Sequence, residues 1–251
     1  MSRVVVLGGS GAMGARVSEV LRGRGHDVVA ASRATGVDVT TGVGLDDVLS
    51  GAKTVLDCLN VVTLSRRTAV SFFGGAAARV AAAAERAGVG HVVCLSIVNV
   101  SEPAVRRATG YYGGKAAQEE AYSAGTVPLT LARTTAWFSL AETFLGQIRL
   151  GPVALVPGIR LRPVHPAAAA AFLADAVEAG PPVAGGPAVL QLAGPEPLDS
   201  AAMARAVARA RHPGVRVVRV PVPMAGLREG LVPHGEVPVD RRRFAEWLVE
   251  R

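Results

Sequence analysis

The chain opens with an apolar run, Val4–Leu7, then a glycine cluster, an amphipathic stretch Ala15–Arg22 and a second apolar run, Val28–Ala31. This order predicts a β-α-β unit, with Gly23 and Gly25 ending the helix and opening the turn. The rhythm recurs. Val55–Leu59 reads as a strand, Arg67–Ala87 as an alanine-rich helix stopped by Gly88, and His91–Val98 as a fully buried strand. A polar loop from Asn99, a helix near Tyr111–Ala124 and a strand at Leu129–Arg133 follow. Strands that are apolar on both faces and separated by helix-length segments imply an α/β fold, a parallel sheet covered on both sides.

After about Ser139 the elements shorten, with prolines and glycines between them at Gly151–Pro157, Gly180–Pro187 and Pro221–Pro223. Val189–Leu192 is expected to return to the sheet as a late strand. The tail therefore reads as a small cap on the same core, drawn mainly from 140–180 and 195–251, within a single domain spanning 1–251. No internal repeat is present. The runs Ala76–Ala84 and Ala167–Ala171 fit helix interiors.

Composition narrows the classes. At 251 residues, 50% of them hydrophobic, the chain is long enough to bury a core without disulfide or metal staples. No apolar run approaches the roughly 20 residues of a membrane helix, and the start runs straight into a strand rather than a cleavable leader, so a cytoplasmic protein with no membrane partner is expected. Cys58 and Cys94 have neither C-x-x-C spacing nor a ligand cluster nearby, so buried free thiols are expected and no metal site. The formal charge is +7, yet the arginines are scattered and aromatics make up only 4%, which argues against nucleic acid. The partner expected is a small-molecule substrate, and a homodimer is compatible with the sequence.

Gly8, Gly11 and Gly14 stand three apart directly after the first strand and before the first helix. Glycine suits that place because the turn needs unusual backbone angles and a pyrophosphate must reach main-chain N–H groups at the positive end of the helix. Ser10 and Met13 of the same loop join the candidate cofactor contacts; a tight turn without a ligand is the bland alternative. At the end of the second strand, where an NAD protein places an acidic residue against the ribose 2′-hydroxyl, the chain reads Ala31, Ser32, Arg33. Arg33 and Ser32 suit a 2′-phosphate, which favours NADP (NADPH) over NAD, unless Arg33 is simply a solvated turn residue. Asp38, in Val37–Asp38–Val39, is a candidate acceptor from the adenine amino group or else a turn residue.

Tyr111 and Lys115 are spaced i and i+4, so on a helix they share one face. An ammonium there favours the phenolate of a facing tyrosine and so lets it exchange a proton, while Ser96, at the carboxyl end of the preceding strand, can hold a substrate oxygen. Y-x-x-x-K alone is a weak pattern; its place one element after a serine-ended strand gives it weight. Tyr112 is a rival for the tyrosine role, at i+3 from Lys115 and beside Gly113 and Gly114. Candidate substrate-facing residues are Asn60 after the fourth strand, Trp137 and Phe138 after the sixth, and His165, with Met224 and His234 in the cap. The histidines read equally as structural residues and Trp137 as core. An apolar pocket with few charges suits a neutral carbonyl compound or quinone.

The segments V-V-V-L-G-G-S-G-A-M-G, G-V-D-V-T-T-G, H-V-V-C-L-S-I-V, Y-Y-G-G-K-A-A-Q-E-E and L-A-R-T-T-A-W-F resemble the atypical short-chain dehydrogenase/reductases of the NmrA-like, NAD(P)H-binding group. L-A-G-P-E-P-L and the late F-A-E-W-L extend the resemblance over most of the chain. It implies a Rossmann-type doubly wound parallel sheet with a small C-terminal substrate-binding lobe. It also implies cofactor and catalytic roles for the glycines, Arg33, Ser96, Tyr111 and Lys115. The implied activity is an NADP-dependent oxidoreductase acting on a small, fairly hydrophobic carbonyl, quinone or polyketide-like compound. The alternatives are a non-redox isomerase, dehydratase or cyclase of natural-product biosynthesis and an NADP-sensing regulatory binding protein, since fold analogy does not settle chemistry. One departure stands out: R-P-V-H-P-A-A-A-A-A lacks the aspartate that relatives carry in a D-V-A step.

Overall fold

The computed structural model describes residues 2–63, 65–183, 186–228 and 230–250. Its first half alternates strand and helix: β1 (Arg3–Leu7), α1 (Ala12–Gly23), β2 (Asp27–Ala31), α2 (Leu45–Leu49), β3 (Thr54–Asp57), α3 (Arg66–Arg86), β4 (His91–Ile97), α4 (Pro103–Ala108), α5 (Gly110–Ser123) and β5 (Leu129–Thr134). Shorter elements follow: α6 (Leu140–Gln147), β6 (Arg149–Leu150), β7 (Val153–Pro157), β8 (Arg160–Leu161), α7 (Pro166–Glu178), β9 (Ala188–Leu192), β10 (Leu198–Asp199), α8 (Ser200–Arg211), β11 (Arg216–Val220), α9 (Ala225–Arg228) and α10 (Phe244–Val249).

Six parallel strands pair in the order β2-β1-β3-β4-β5-β9, a doubly wound Rossmann-type sheet in which the late strand does return beside β5. Alternation along each strand feeds two cores. Val4, Val6 and Val93 face α1 and α7, while Val5, Leu7, Val55 and Cys94 face α3 and α5. A third core, around Phe138, Phe144, Met203 and Trp247, holds the parallel and antiparallel strands of a three-stranded sheet, β11-β7-β6, against α6 and α8. The β8–β10 pair completes this lobe.

Several expectations need correction. α7 lies in the 140–180 stretch read as lobe, but its alanine face packs beside α1 on the main sheet, where small side chains allow close approach. Asn60 follows the third strand of the sheet rather than the fourth, and Trp137 and Phe138 the fifth rather than the sixth, since only an isolated bridge between Asp38 and Val43 lies between β2 and β3. The loop after Asn99 contains α4, whose first-turn Pro103 is pre-set for a helix. Cys58 and Cys94 are free, and they pack into cores on opposite faces of the sheet. Among the described residues no helix is long and apolar enough to cross a membrane.

Candidate active site

Strand order reverses at β1, which connects onward to β2 on one side and pairs with β3 on the other. Ligands of such sheets bind in the crevice beyond the carboxyl ends of the strands at that reversal. The glycine loop sits there. Gly8 holds φ +71°, and a Cβ on it would stand 2.9 Å from the Cys58 carbonyl oxygen. On Gly14 a Cβ would stand 2.2 Å from the Gly8 oxygen and 2.9 Å from Gly9 Cα, so only glycine lets α1 approach the loop this closely. Gly11, the N-cap, has no side chain to offer, and the first turn of α1 carries no carboxylate. The Gly11 amide donates to the Gly8 oxygen at 2.9 Å, whereas the amides of Ala12 and Met13 meet no acceptor among the described residues. The result is an electropositive, uncapped helix end, the kind of feature that attracts anions. Ser10 is exposed there; the Met13 side chain is buried in the core, leaving its amide alone to face the crevice.

At the end of β2, Ser32 opens a short 3-10 turn, Arg33–Thr35. Arg33 is exposed, in a position where a carboxylate would have suited a ribose diol. Asp38 Oδ1 accepts from the Thr40 amide at 2.8 Å and its hydroxyl at 2.6 Å. Those bonds, with the Arg33 charge adding, hold its carboxyl below the usual carboxylate range. Both of these bonds fall on Oδ1.

The far side of the crevice is built by α5. Thr109 caps it, accepting from the Tyr112 amide at 3.2 Å. The Tyr111 ring packs edge-on against Phe73, with centroids 5.6 Å apart, and against Tyr112. Burial pushes the Tyr112 phenol up, away from proton exchange at neutral pH. Lys115 is buried. Its Nζ donates to the Leu95 carbonyl at 2.6 Å and to Gln118 Oε1, and stands 5.0 Å from the Phe73 ring centroid. Ser96 follows Leu95 at the carboxyl end of β4; it is 1% exposed and its hydroxyl has no partner among the described residues. Thr135, just beyond β5, has a second buried, unpartnered hydroxyl. Tyr111, Lys115 and Ser96 thus belong to neighbouring segments of β4 and α5, but no hydrogen bond joins them.

The candidate substrate contacts separate into two kinds. Asn60 is exposed beyond β3, and Trp137 is half-buried with Nε1 donating to Thr134 Oγ1 at 3.2 Å. Met224 is exposed, and exposed His234 pairs with Glu102 at 3.0 Å. Phe138, in contrast, is completely buried against His165, Phe244 and Trp247, packed into the core of the lobe. His165 caps α7: Nδ1 accepts from the Ala167 amide at 3.0 Å and Nε2 meets Glu250 Oε2 at 3.0 Å, which uses both nitrogens. It is structural.

Two features escape a reading of the sequence alone. Asp57 ends β3 fully buried; Oδ1 accepts from the Leu59 amide at 2.7 Å, and Oδ2 from Gln118 Nε2 and the Tyr122 hydroxyl, both at 2.7 Å. The i, i+3, i+7 spacing of Lys115, Gln118 and Tyr122 is the available signal that all three share a helix face. Asn99, after β4, is the one non-glycine with positive φ among the described residues, at 58°. Its Nδ2 donates to the carbonyls of Gly230 at 3.0 Å and Val232 at 2.7 Å, tying the late segment of the chain to the β4–α4 loop.

No protein-family model matches this chain, and no curated protein matches it in sequence. Solved structures do. A short-chain dehydrogenase/reductase superfamily protein from Agrobacterium tumefaciens with bound NAD superposes with TM-score 0.66 at 17% identity, covering 98% of this chain and 94% of that one. dTDP-4-dehydrorhamnose reductase from Bacillus anthracis str. Ames, in complex with NADP, gives 0.68 at 14% identity over 98% and 92%. UDP-N-acetylglucosamine 4-epimerase from Bacillus cereus gives 0.64 at 11% over 96% and 90%. At these identities the likeness establishes the fold, sheet and lobe together.

Proposed function

We propose that the chain is an NADP-dependent oxidoreductase of the short-chain dehydrogenase/reductase type, NmrA-like, acting on a small carbonyl, quinone or polyketide-like compound. One observation carries the reading: an uncapped α1 end behind a loop that only glycine can form, with Arg33 where a carboxylate would read a diol. Gly8, Gly11 and Gly14 let a diphosphate approach, the amides of Ala12 and Met13 receive it, and Ser32 and Arg33 take the 2′-phosphate. NADPH, when bound, supplies the hydride. Tyr111 gives or takes the proton at the substrate oxygen, Ser96 donates a hydrogen bond to that oxygen, and Lys115 directs an ammonium proton toward the site. Tyr111 is preferred to Tyr112 because burial holds the Tyr112 phenol protonated.

A second reading, dinucleotide binding without turnover, is supported by the engagement of Lys115 with Leu95 and Gln118 and by the absence of hydrogen bonds among Tyr111, Lys115 and Ser96 among the described residues. The test is NADPH consumption with a panel of ketones, quinones and a 4-keto nucleotide sugar, the last because one similar fold is a dTDP-4-dehydrorhamnose reductase. Tyr111→Phe should lower turnover roughly 100-fold or more with cofactor affinity nearly unchanged. Binding without consumption across the panel would favour the second reading, and equal turnover in the variant would remove Tyr111 from the chemistry.

A further inference from the structure

Lys115 is one of two lysines in the chain, and the polar residues behind it form a continuous buried chain. From its Nζ the contacts run to Gln118 Oε1, across the amide to Nε2, and on to Asp57 Oδ2 at 2.7 Å. Asp57 and Gln118 are both completely buried and Lys115 is 3% exposed. The order of charges fixes the glutamine: its oxygen must face the cation and its NH₂ the carboxylate, so the amide dipole lies along the line between them. Three donors meet Asp57, namely Leu59 N–H on Oδ1 and Gln118 NH₂ and Tyr122 O–H on Oδ2, so both oxygens act as acceptors, as those of a carboxylate do. The Tyr122 phenol is pushed up by its burial, with Asp57 adding, so it stays a donor.

From this geometry we infer that Asp57 and Gln118 are positioning residues for Lys115: a buried carboxylate acting through one glutamine amide holds the ammonium at the carboxyl end of β4 and ties it to the loop after β3. Three consequences follow from the contacts. A buried ammonium needs a compensating charge, and Asp57 provides it at one remove, through Gln118 rather than by a direct ion pair. Two of the three ammonium protons are taken by Leu95 and Gln118, which leaves one to aim at a ligand. The same carboxylate holds the Leu59 amide, in the segment running from β3 along the glycine loop, where the Cys58 carbonyl closes on Gly8. The lysine and the wall of the crevice opposite it are thereby set by one group. The functional part of this inference rests on the dinucleotide reading above; the structural part does not.

Because only Lys53, which is exposed, shares the residue type, selective ¹⁵N-lysine labelling addresses Lys115 directly. The intact protein should give one slowly exchanging ammonium ¹H–¹⁵N signal, retained in Lys53→Arg. Asp57→Asn and Gln118→Met should each lose that signal, with the fold verified by circular dichroism. Asp57→Asn/Gln118→Glu, which moves the negative charge one link toward the lysine, should restore it. NADPH affinity, read by fluorescence titration, should fall roughly tenfold or more in both single variants and recover in the double one. An unchanged Lys115 signal in folded Asp57→Asn or Gln118→Met overturns the inference, as does a lost signal that the double variant fails to restore. A lost signal with unchanged NADPH affinity overturns the positioning role. If the intact protein binds no NADPH, the dinucleotide reading fails, and the ammonium signal alone decides whether the relay exists. Should Asp57→Asn not fold, Gln118→Met, which removes no charge, decides between the same two outcomes by its own ammonium signal.

Discussion

Acidification should destabilise this protein in part through His91. It opens β4, is 1% exposed, and its Nε2 meets Thr130 Oγ1 at 2.9 Å while Nδ1 has no partner among the described residues. Burial lowers its pKa from the ordinary 6.5 to about 4. The folded state thus keeps the ring neutral where the unfolded chain would already take a proton, so stability is full above pH 6.5 and falls as the pH drops toward 4. Applying linkage to those two values gives a loss of about 2 kcal/mol by pH 5 and about 3 kcal/mol by pH 4, relative to about pH 8. Urea denaturation of the intact chain and of His91→Leu, at about pH 8 and about pH 5, isolates the contribution because every other titrating group is common to both. The variant should be less stable at the higher pH, having an imperfectly filled site and an unpaired Thr130, but should lose about 2 kcal/mol less than the parent on acidification. Identical losses in the two proteins would refute the argument.

Gly14→Val should weaken NADPH binding roughly tenfold or more while circular dichroism stays that of an α/β protein, because its Cβ alone would stand 2.2 Å from the Gly8 oxygen; unchanged fluorescence titration would show that the loop tolerates a side chain and is not shaped for a diphosphate. Asn99→Ala should cost roughly 2 to 4 kcal/mol, from two hydrogen bonds and a positive φ, and should expose the chain near 230–232 to limited proteolysis. Asn99→Gly, which relieves the φ penalty, should cost less, and equal losses in the two variants would assign the whole effect to the hydrogen bonds.

The parts of this fold legible in the sequence are those written locally. The strands show as apolar runs because both faces of the sheet are covered, and the glycine loop shows because its spacing, its strand and its helix are contiguous. What the sequence hides depends on contacts between distant segments. An alanine-rich helix looks the same whether it covers a lobe or the main sheet, which is why position in the chain assigns α7 to the wrong one. Phe138 and His165 follow strand ends, and nothing local in the sequence shows that Phe244 and Trp247 come to surround Phe138 or that Glu250 meets His165. Asp57 terminates an apolar strand and looks like a turn residue until α5 brings Gln118 and Tyr122 onto it from 61 and 65 residues away.

The glycine loop and Arg33 together should form one site for a 2′-phosphorylated dinucleotide. Isothermal titration of the intact protein and of Arg33→Ala with NADPH and NADH addresses this directly. NADPH should bind once per chain, roughly tenfold or more tightly than NADH, and Arg33→Ala should forfeit roughly 1.5 to 3 kcal/mol of NADPH affinity while leaving NADH alone. No heat with either nucleotide, or an equal loss for both in the variant, would contradict it.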